Sequence, residues 1–220
     1  MTPLQEKQID NLIDKLNCQF DYELVPINLE KFSREKQCYS NVEEKVKRDG
    51  GMIHYGWSVH FTDNIIIEAE RHAVWENDNE DLICITPHPS NLSHVIFLSD
   101  NKSVDENEQI DNVRMNITNN SLVNDWIHLS ETIGDIYNRF TTRLNDDQVN
   151  MEVPVHKVLT KIDGYRGLVM GLIKSKKGEK SKCFCEKGVY HEKKYIHCHR
   201  KILFNEIPEL LQEIASFERH

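Results

Sequence analysis

Apolar residues recur along this chain with two periods, and the switches between them lay out its elements. Over 4–16, Leu4, Ile9, Leu12, Ile13 and Leu16 fall on one stripe at helical spacing, which predicts an amphipathic helix. The run "FDYELVPINL" (20–29) alternates and reads as extended, with Pro26 restricting it to an edge or a turn. A second helix is expected from Gln37 to Arg48, with Val42 and Val46 four residues apart and charges on its outer face. It stops at "DGG" (49–51), since glycine takes the left-handed terminal conformation at little cost. Three strand-like runs follow at 52–61, 64–76 and 81–87, joined by the polar turns "TDN" and "NDNE", and 94–100 offers a fourth. A meander is the economical topology for them.

The polar stretch 101–120 reads as a loop. Helical spacing returns over 122–140, where Trp126, Leu129, Ile133, Ile136 and Phe140 form a stripe suited to core packing. Residues 142–154 read as a connector, and 157–173 as a short helix or a helical hairpin interrupted at Gly164. Composition shifts most clearly near 175, where "KSKKGEKSK" begins. The expected organisation is a domain over 1–174 and a small module over 175–220. The expected fold class is α+β, a central antiparallel sheet with flanking helices.

With 220 residues, 39% of them hydrophobic, the chain can bury a core without disulfide staples. A net charge of -9 argues against general affinity for nucleic acid or anionic membranes. The charge is uneven, with 101–152 acidic and 174–201 basic. In the basic segment Phe184, Tyr190 and Tyr195 are interleaved with lysines, a pattern for touching RNA or an acidic protein face, or simply for solvated lysines. No apolar run reaches the roughly 18 to 20 residues of a membrane span, and the N-terminus does not read as a signal peptide. A cytoplasmic location is therefore expected, with the six cysteines free or metal-bound. There is no Gly-rich phosphate loop, G-x-S-x-G elbow or H-E-x-x-H helix.

The densest chemistry lies in "CFCEKGVYHEKKYIHCH" (183–199), which carries Cys183, Cys185, Cys198 and His199. Zinc takes four tetrahedral sulfur and nitrogen ligands, and two ligand pairs closing one loop supply them. The predicted cofactor is therefore a structural zinc ion, the other reading being ordinary thiols in a basic tail. The run resembles the SEC-C motif, a small zinc-binding module found at the C-terminus of the SecA translocation ATPase and of many bacterial proteins. Cys183 and Cys185 match its first pair, and Lys194-Tyr195 followed by Cys198-His199 match its second half. The resemblance implies a protein or peptide partner, since in SecA the module contacts a chaperone and the ribosome.

Cys38 stands where the second helix begins, and "EAERHAVWE" carries His72 on a strand. A helix N-terminus favours a thiolate. On a strand, Glu68, Glu70 and His72 share one face, so His72 is able to face a helix packed across the sheet. Cys38 then reads as a nucleophile with His72 as its base, or as a small buried hydrophobe. Cys38, His72 and Cys84 also make a possible zinc set. The order of the two residues resembles that of papain-like and transglutaminase-like cysteine hydrolases. Over 36–114 the blocks "CYSNVEEKV", "GGMIHYGW", "EAERHAVW" and "ITP" are similar to a group of bacterial proteins that share them. That likeness implies a site of Cys38, Asn41, Tyr55, Trp57, Glu68, Glu70 and His72, with Thr86 close by. The papain-like and transglutaminase-like order of Cys38 and His72 implies a cysteine-dependent hydrolase or amide-bond transferase, with Asn41, Tyr55, Trp57 and Glu68 against the substrate. A zinc-binding adaptor without catalysis is the alternative. Cys84 occupies the position where an acid is expected ahead of Thr-Pro, and in a hairpin closed by a turn centred near Asp78 it lies opposite His72. A neutral thiol fixes a histidine tautomer poorly, so either Thr86, Glu68 or Glu70 orients His72, or the pair works as a weak dyad, or activity has been lost.

Overall fold

The computed structural model describes residues 1–88, 92–100, 111–145, 148–183 and 193–218. The protein is α+β, and it divides into two compact units, Met1–Ile117 and Thr118–His220. The expected boundary near 175 thus falls inside the second unit.

The first unit runs α1 (Pro3–Leu16), β1 (Tyr22–Pro26), α2 (Cys38–Asp49), β2 (Met52–Thr62), β3 (Ile66–Glu76), β4 (Leu82–Ile83), β5 (His94–Ser99) and β6 (Val113–Asn116). A capping box opens α1: the Gln5 amide donates to Thr2 Oγ1, and the Thr2 amide donates back to Gln5 Oε1. The "DGG" stop behaves as predicted, with Gly50 and Gly51 at φ of 78° and 77°. Gly51 has a second reason to lack a side chain, because a Cβ there would run into the Glu76 carbonyl.

The strands pair antiparallel in the order β1-β5-β2-β3-β4, with β6 beside the first half of β3. The meander therefore holds for β2, β3 and β4, but β5 returns to the far side of β2. β4 is only two residues long. Its continuation leaves β3, and Cys84 bridges in parallel to Ile27 just past β1. The first and last strands so meet, and the sheet nearly closes on itself. β6 lies in the stretch expected to loop; it occupies the flank of β3 that the short β4 leaves open.

Strand alternation gives the sheet two differently furnished faces. Helix α1 lays Ile9 and Leu12 on Trp57, Val59, Ile67, Ala69 and Leu98, and α2 lays Val42 on Ala73 and Ile85. The opposite, inward face gathers Val25, Val74, Cys84, Val95 and Phe97 from four strands and their extensions. Around that apolar floor stand His54, Ser58, His60, His72, Glu76 and Ser99, all on the same alternating set of positions.

The second unit runs α3 (Ser121–Phe140), β7 (Thr141–Asn145), β8 (Gln148–Met151), α4 (Val153–Lys174), a 3-10 turn at Tyr195–His197 and α5 (His199–Glu213). The stripe on α3 is core as expected, with Leu129, Ile133, Ile136 and Phe140 buried and Trp126 at its margin. The expected connector over 142–154 is in large part a hairpin of β7 and β8. Helix α4 runs unbroken through Gly164, which has open space around it, so no hairpin forms there.

Candidate functional site

Cys38 does open a helix, and its thiol is buried. β4 pairs with β3 only at Trp75 and Glu76, so the ladder stops short of Ala73. The Ala73 amide reaches the Cys38 sulfur, together with the amides of Tyr39 and of Cys38 itself. Those donors favour a thiolate, yet burial outweighs them and pushes the thiol up to about 11.

His72 turns elsewhere. Its Nε2 lies 3.3 Å from Cys84 Sγ, and no hydrogen bond joins it to Cys38. The β3–β4 register pairs Trp75 with Ile83 and Glu76 with Leu82, so the ladder sets Cys84 across from Val74. Direct opposition of His72 and Cys84, expected from a turn centred on Asp78, gives way to a diagonal contact because the turn centres one residue later. Backbone bonds hold Cys84 from both sides: its amide donates to Pro26 O (2.9 Å), and Asn28 N donates to its carbonyl (2.9 Å). The third member is His88, whose Nε2 is 3.5 Å from the same sulfur. The ligand atoms of His72, Cys84 and His88 all lie within 4.8 Å of one another. Of the set Cys38, His72 and Cys84, the last two come together, with His88 as their companion. The spacing Cys84-x-x-x-His88 was the signal available in the sequence for it.

Burial lowers the His72 imidazole to about 3, with His88 and His60 adding to the effect, and raises the Cys84 thiol to about 11. Both are neutral near pH 7, unlike the ion pair of an activated nucleophile. The residues expected to orient His72 are engaged with other groups. Thr86 Oγ1 accepts from Asn41 Nδ2 at 3.0 Å, and Glu70 lies 3.8 Å from His60. Glu68 pairs with Arg114 at 2.9 Å and accepts from Asn112 at 2.7 Å.

The residues expected against a substrate hold the fold. Asn41 Oδ1 accepts from Arg34 N (2.9 Å) while its Nδ2 donates to Arg34 O (2.8 Å), which pins the approach to α2. Tyr55 packs its ring 6.0 Å from that of Tyr39. Trp57 donates to Asp100 (3.2 Å) and lies under the Arg71 guanidinium, which pairs with the same carboxylate at 2.8 Å.

In the second unit a short antiparallel bridge between Lys182 and Lys194 turns the chain back, with Cys183 N donating to Lys193 O at 3.0 Å. Cys183 thereby meets the start of α5: its sulfur is 2.8 Å from His199 Nδ1, and Cys198 Sγ is 3.6 Å from that nitrogen. These three ligand atoms also lie within 4.8 Å of one another. Cys185 lies outside the described residues. Among the described residues there are thus two Cys/His groups able to bind a metal ion, one in each unit. No described helix is long and apolar enough to cross a membrane. No family model, curated protein or solved structure matches this chain.

Proposed function

We propose that this chain is a zinc-binding protein whose C-terminal Cys183, Cys185, Cys198 and His199 hold a structural zinc and frame a surface for a protein or peptide partner. The observation that supports it is the convergence of Cys183, Cys198 and His199 from both ends of one loop. Zn–S and Zn–N bonds of ~2.3 and ~2.05 Å at a tetrahedral angle set ligand atoms roughly 3.6 Å apart. The Cys198–His199 separation of 3.6 Å fits, and Cys183, at 2.8 Å, needs a small outward shift. Zinc would tie Cys183 to the first turn of α5. Metal analysis of the full chain purified without chelator is the test. Cys198→Ser or His199→Ala is expected to lose one zinc ion per chain and hydrogen-exchange protection over 193–213. Unchanged metal content in both variants would overturn the reading.

A cysteine-dependent hydrolase or transferase at Cys38 is the second reading, favoured by the three backbone amides around its sulfur, donors of the kind that hold an oxyanion. Burial of the thiol weighs against it. We expect iodoacetamide to leave Cys38 largely unmodified at pH 7 in the folded protein, with reaction rising as the pH approaches the thiol's value of about 11. Stoichiometric labelling of Cys38 at mildly acidic pH, abolished by His72→Ala, would instead establish the hydrolase.

A further inference from the structure

We infer that the inward face of the sheet in the first unit carries a second, mononuclear site for a divalent transition metal of the zinc class, with His72 Nε2, Cys84 Sγ and His88 Nε2 as its ligands. The inference stands independently of the C-terminal zinc.

The interior histidines are satisfied in two different ways. His54 has conventional oxygen partners, Glu76 at 2.7 Å and Ser99 at 3.0 Å. His60 likewise meets Ser58 at 3.0 Å, with Glu70 at 3.8 Å. The side chains of His72 and His88 differ: among the described residues each has only the sulfur of Cys84 as a hydrogen-bond partner. A thiol is a weak hydrogen-bonding group, whereas buried polar groups are ordinarily well paired. Two imidazoles sharing one sulfur make a poor polar cluster and a good ligand set.

Geometry agrees. The two S···N separations, 3.3 and 3.5 Å, fall close to the roughly 3.6 Å set by a tetrahedral zinc ion. The ligands come from separate parts of the fold, His72 from mid-β3, Cys84 from the bridge that closes the sheet and His88 from just past Pro87. The Cys84 backbone is held on either side by hydrogen bonds to Pro26 and Asn28, so its side chain projects from a fixed point of the fold. One thiolate and two imidazoles suit zinc and its neighbours, not magnesium or calcium, which prefer oxygen.

Among the described residues three protein ligands converge, which leaves a fourth tetrahedral position for a further ligand, the count of a catalytic zinc site. His60 stands beside this set, its ring centre 6.1 Å from that of His88, and brings Ser58 and Glu70 with it. An exogenous ligand at the open position would be water or a small oxygen or nitrogen donor.

The test uses the full chain carrying Cys183→Ser and Cys198→Ser, so that metal at the C-terminal group does not contribute. After loading with zinc and desalting, one ion per chain is expected. Cobalt in its place is expected to give tetrahedral d–d bands with a thiolate charge-transfer band in the near ultraviolet. His88→Ala, at the half-buried rim, and the nearly isosteric Cys84→Ser are each expected to lower zinc affinity at least tenfold, and Cys84→Ser to remove the charge-transfer band. Circular dichroism establishes that each variant is folded before its metal is counted. Absence of metal from the double-serine chain, or zinc retained at unchanged affinity in folded His88→Ala, would overturn the inference. Loss of the C-terminal zinc alone would leave this site filled, so failure of either proposal is visible separately.

Discussion

Replacing Gly56 with alanine is expected to destabilise the first unit by about 3 kcal/mol or more. Gly56 lies in mid-β2, opposite His72 on β3 and Ser99 on β5. A Cβ there would overlap the Leu98 carbonyl oxygen and the ring of Phe97. Neither neighbour has room to yield. The Leu98 carbonyl belongs to the ladder that joins β5 to β2, and Phe97 is fully buried on the inward face, its ring 6.5 Å from that of His72. The backbone conformation itself is ordinary extended strand, so the penalty is steric. Urea unfolding followed by the fluorescence of Trp57 and Trp75, both in this unit, measures it. Gly164→Ala supplies the contrast, since that glycine sits in mid-α4 with nothing near it. There the change is expected to stabilise the protein by about 0.5–1 kcal/mol through helix propensity. A Gly56→Ala cost below about 1 kcal/mol would show that β5 can move away from β2.

Acid is expected to weaken the metal-free first unit well before its carboxylates are protonated. Unfolded, His72 takes up a proton near pH 6.5; folded, it stays neutral down to about 3 because burial disfavours the cation. Between these values the unfolded state binds more protons, so unfolding free energy falls as the pH falls. The contribution is complete and flat above about 6.5 and is lost progressively toward 3. At 1.36 kcal/mol per pKa unit the loss is on the order of 5 kcal/mol. His88, also lowered by burial, acts in the same direction. Among the described residues, the titratable groups facing His72 are Cys84 and His88, with His60 of β2 near them and Glu70 meeting His60. None supplies a carboxylate in contact with the ring. Urea midpoints from pH 7.5 to 4 with chelator present, compared between wild type and His72→Leu, measure the effect. Parallel curves for the two proteins would remove His72 as its source.

The elements of the first unit were readable because their causes are local. The stripe of α1, the "DGG" stop after α2 and the alternation of β2, β3 and β5 each depend on residues a few positions apart. A glycine inside a strand, such as Gly56, permits close approach of a ligand or another backbone, and here it is the backbone of Leu98. β6 was not recognisable, for its four residues lie in a polar stretch and acquire strand geometry only from the free flank of β3. The hairpin of β7 and β8 is likewise short and mostly polar, without an apolar face to announce it.

The site followed the same division. By itself the sequence determined that Cys38 would stand at a helix tip, that His72 would sit on a strand, and that Cys183, Cys198 and His199 would bracket one loop. Only the tertiary structure decided which partner His72 takes. That choice depends on where β4 ends and how far the sheet curls, and both depend on contacts between residues distant in the chain, such as Cys84 with Ile27. A shift of one residue in the β3–β4 turn is invisible to periodicity, yet it turns a direct pair into a diagonal one. The same sulfur also meets His88, while Cys38 lies by the Ala73 amide. Side-chain chemistry named the candidates, and the closure of the sheet selected among them.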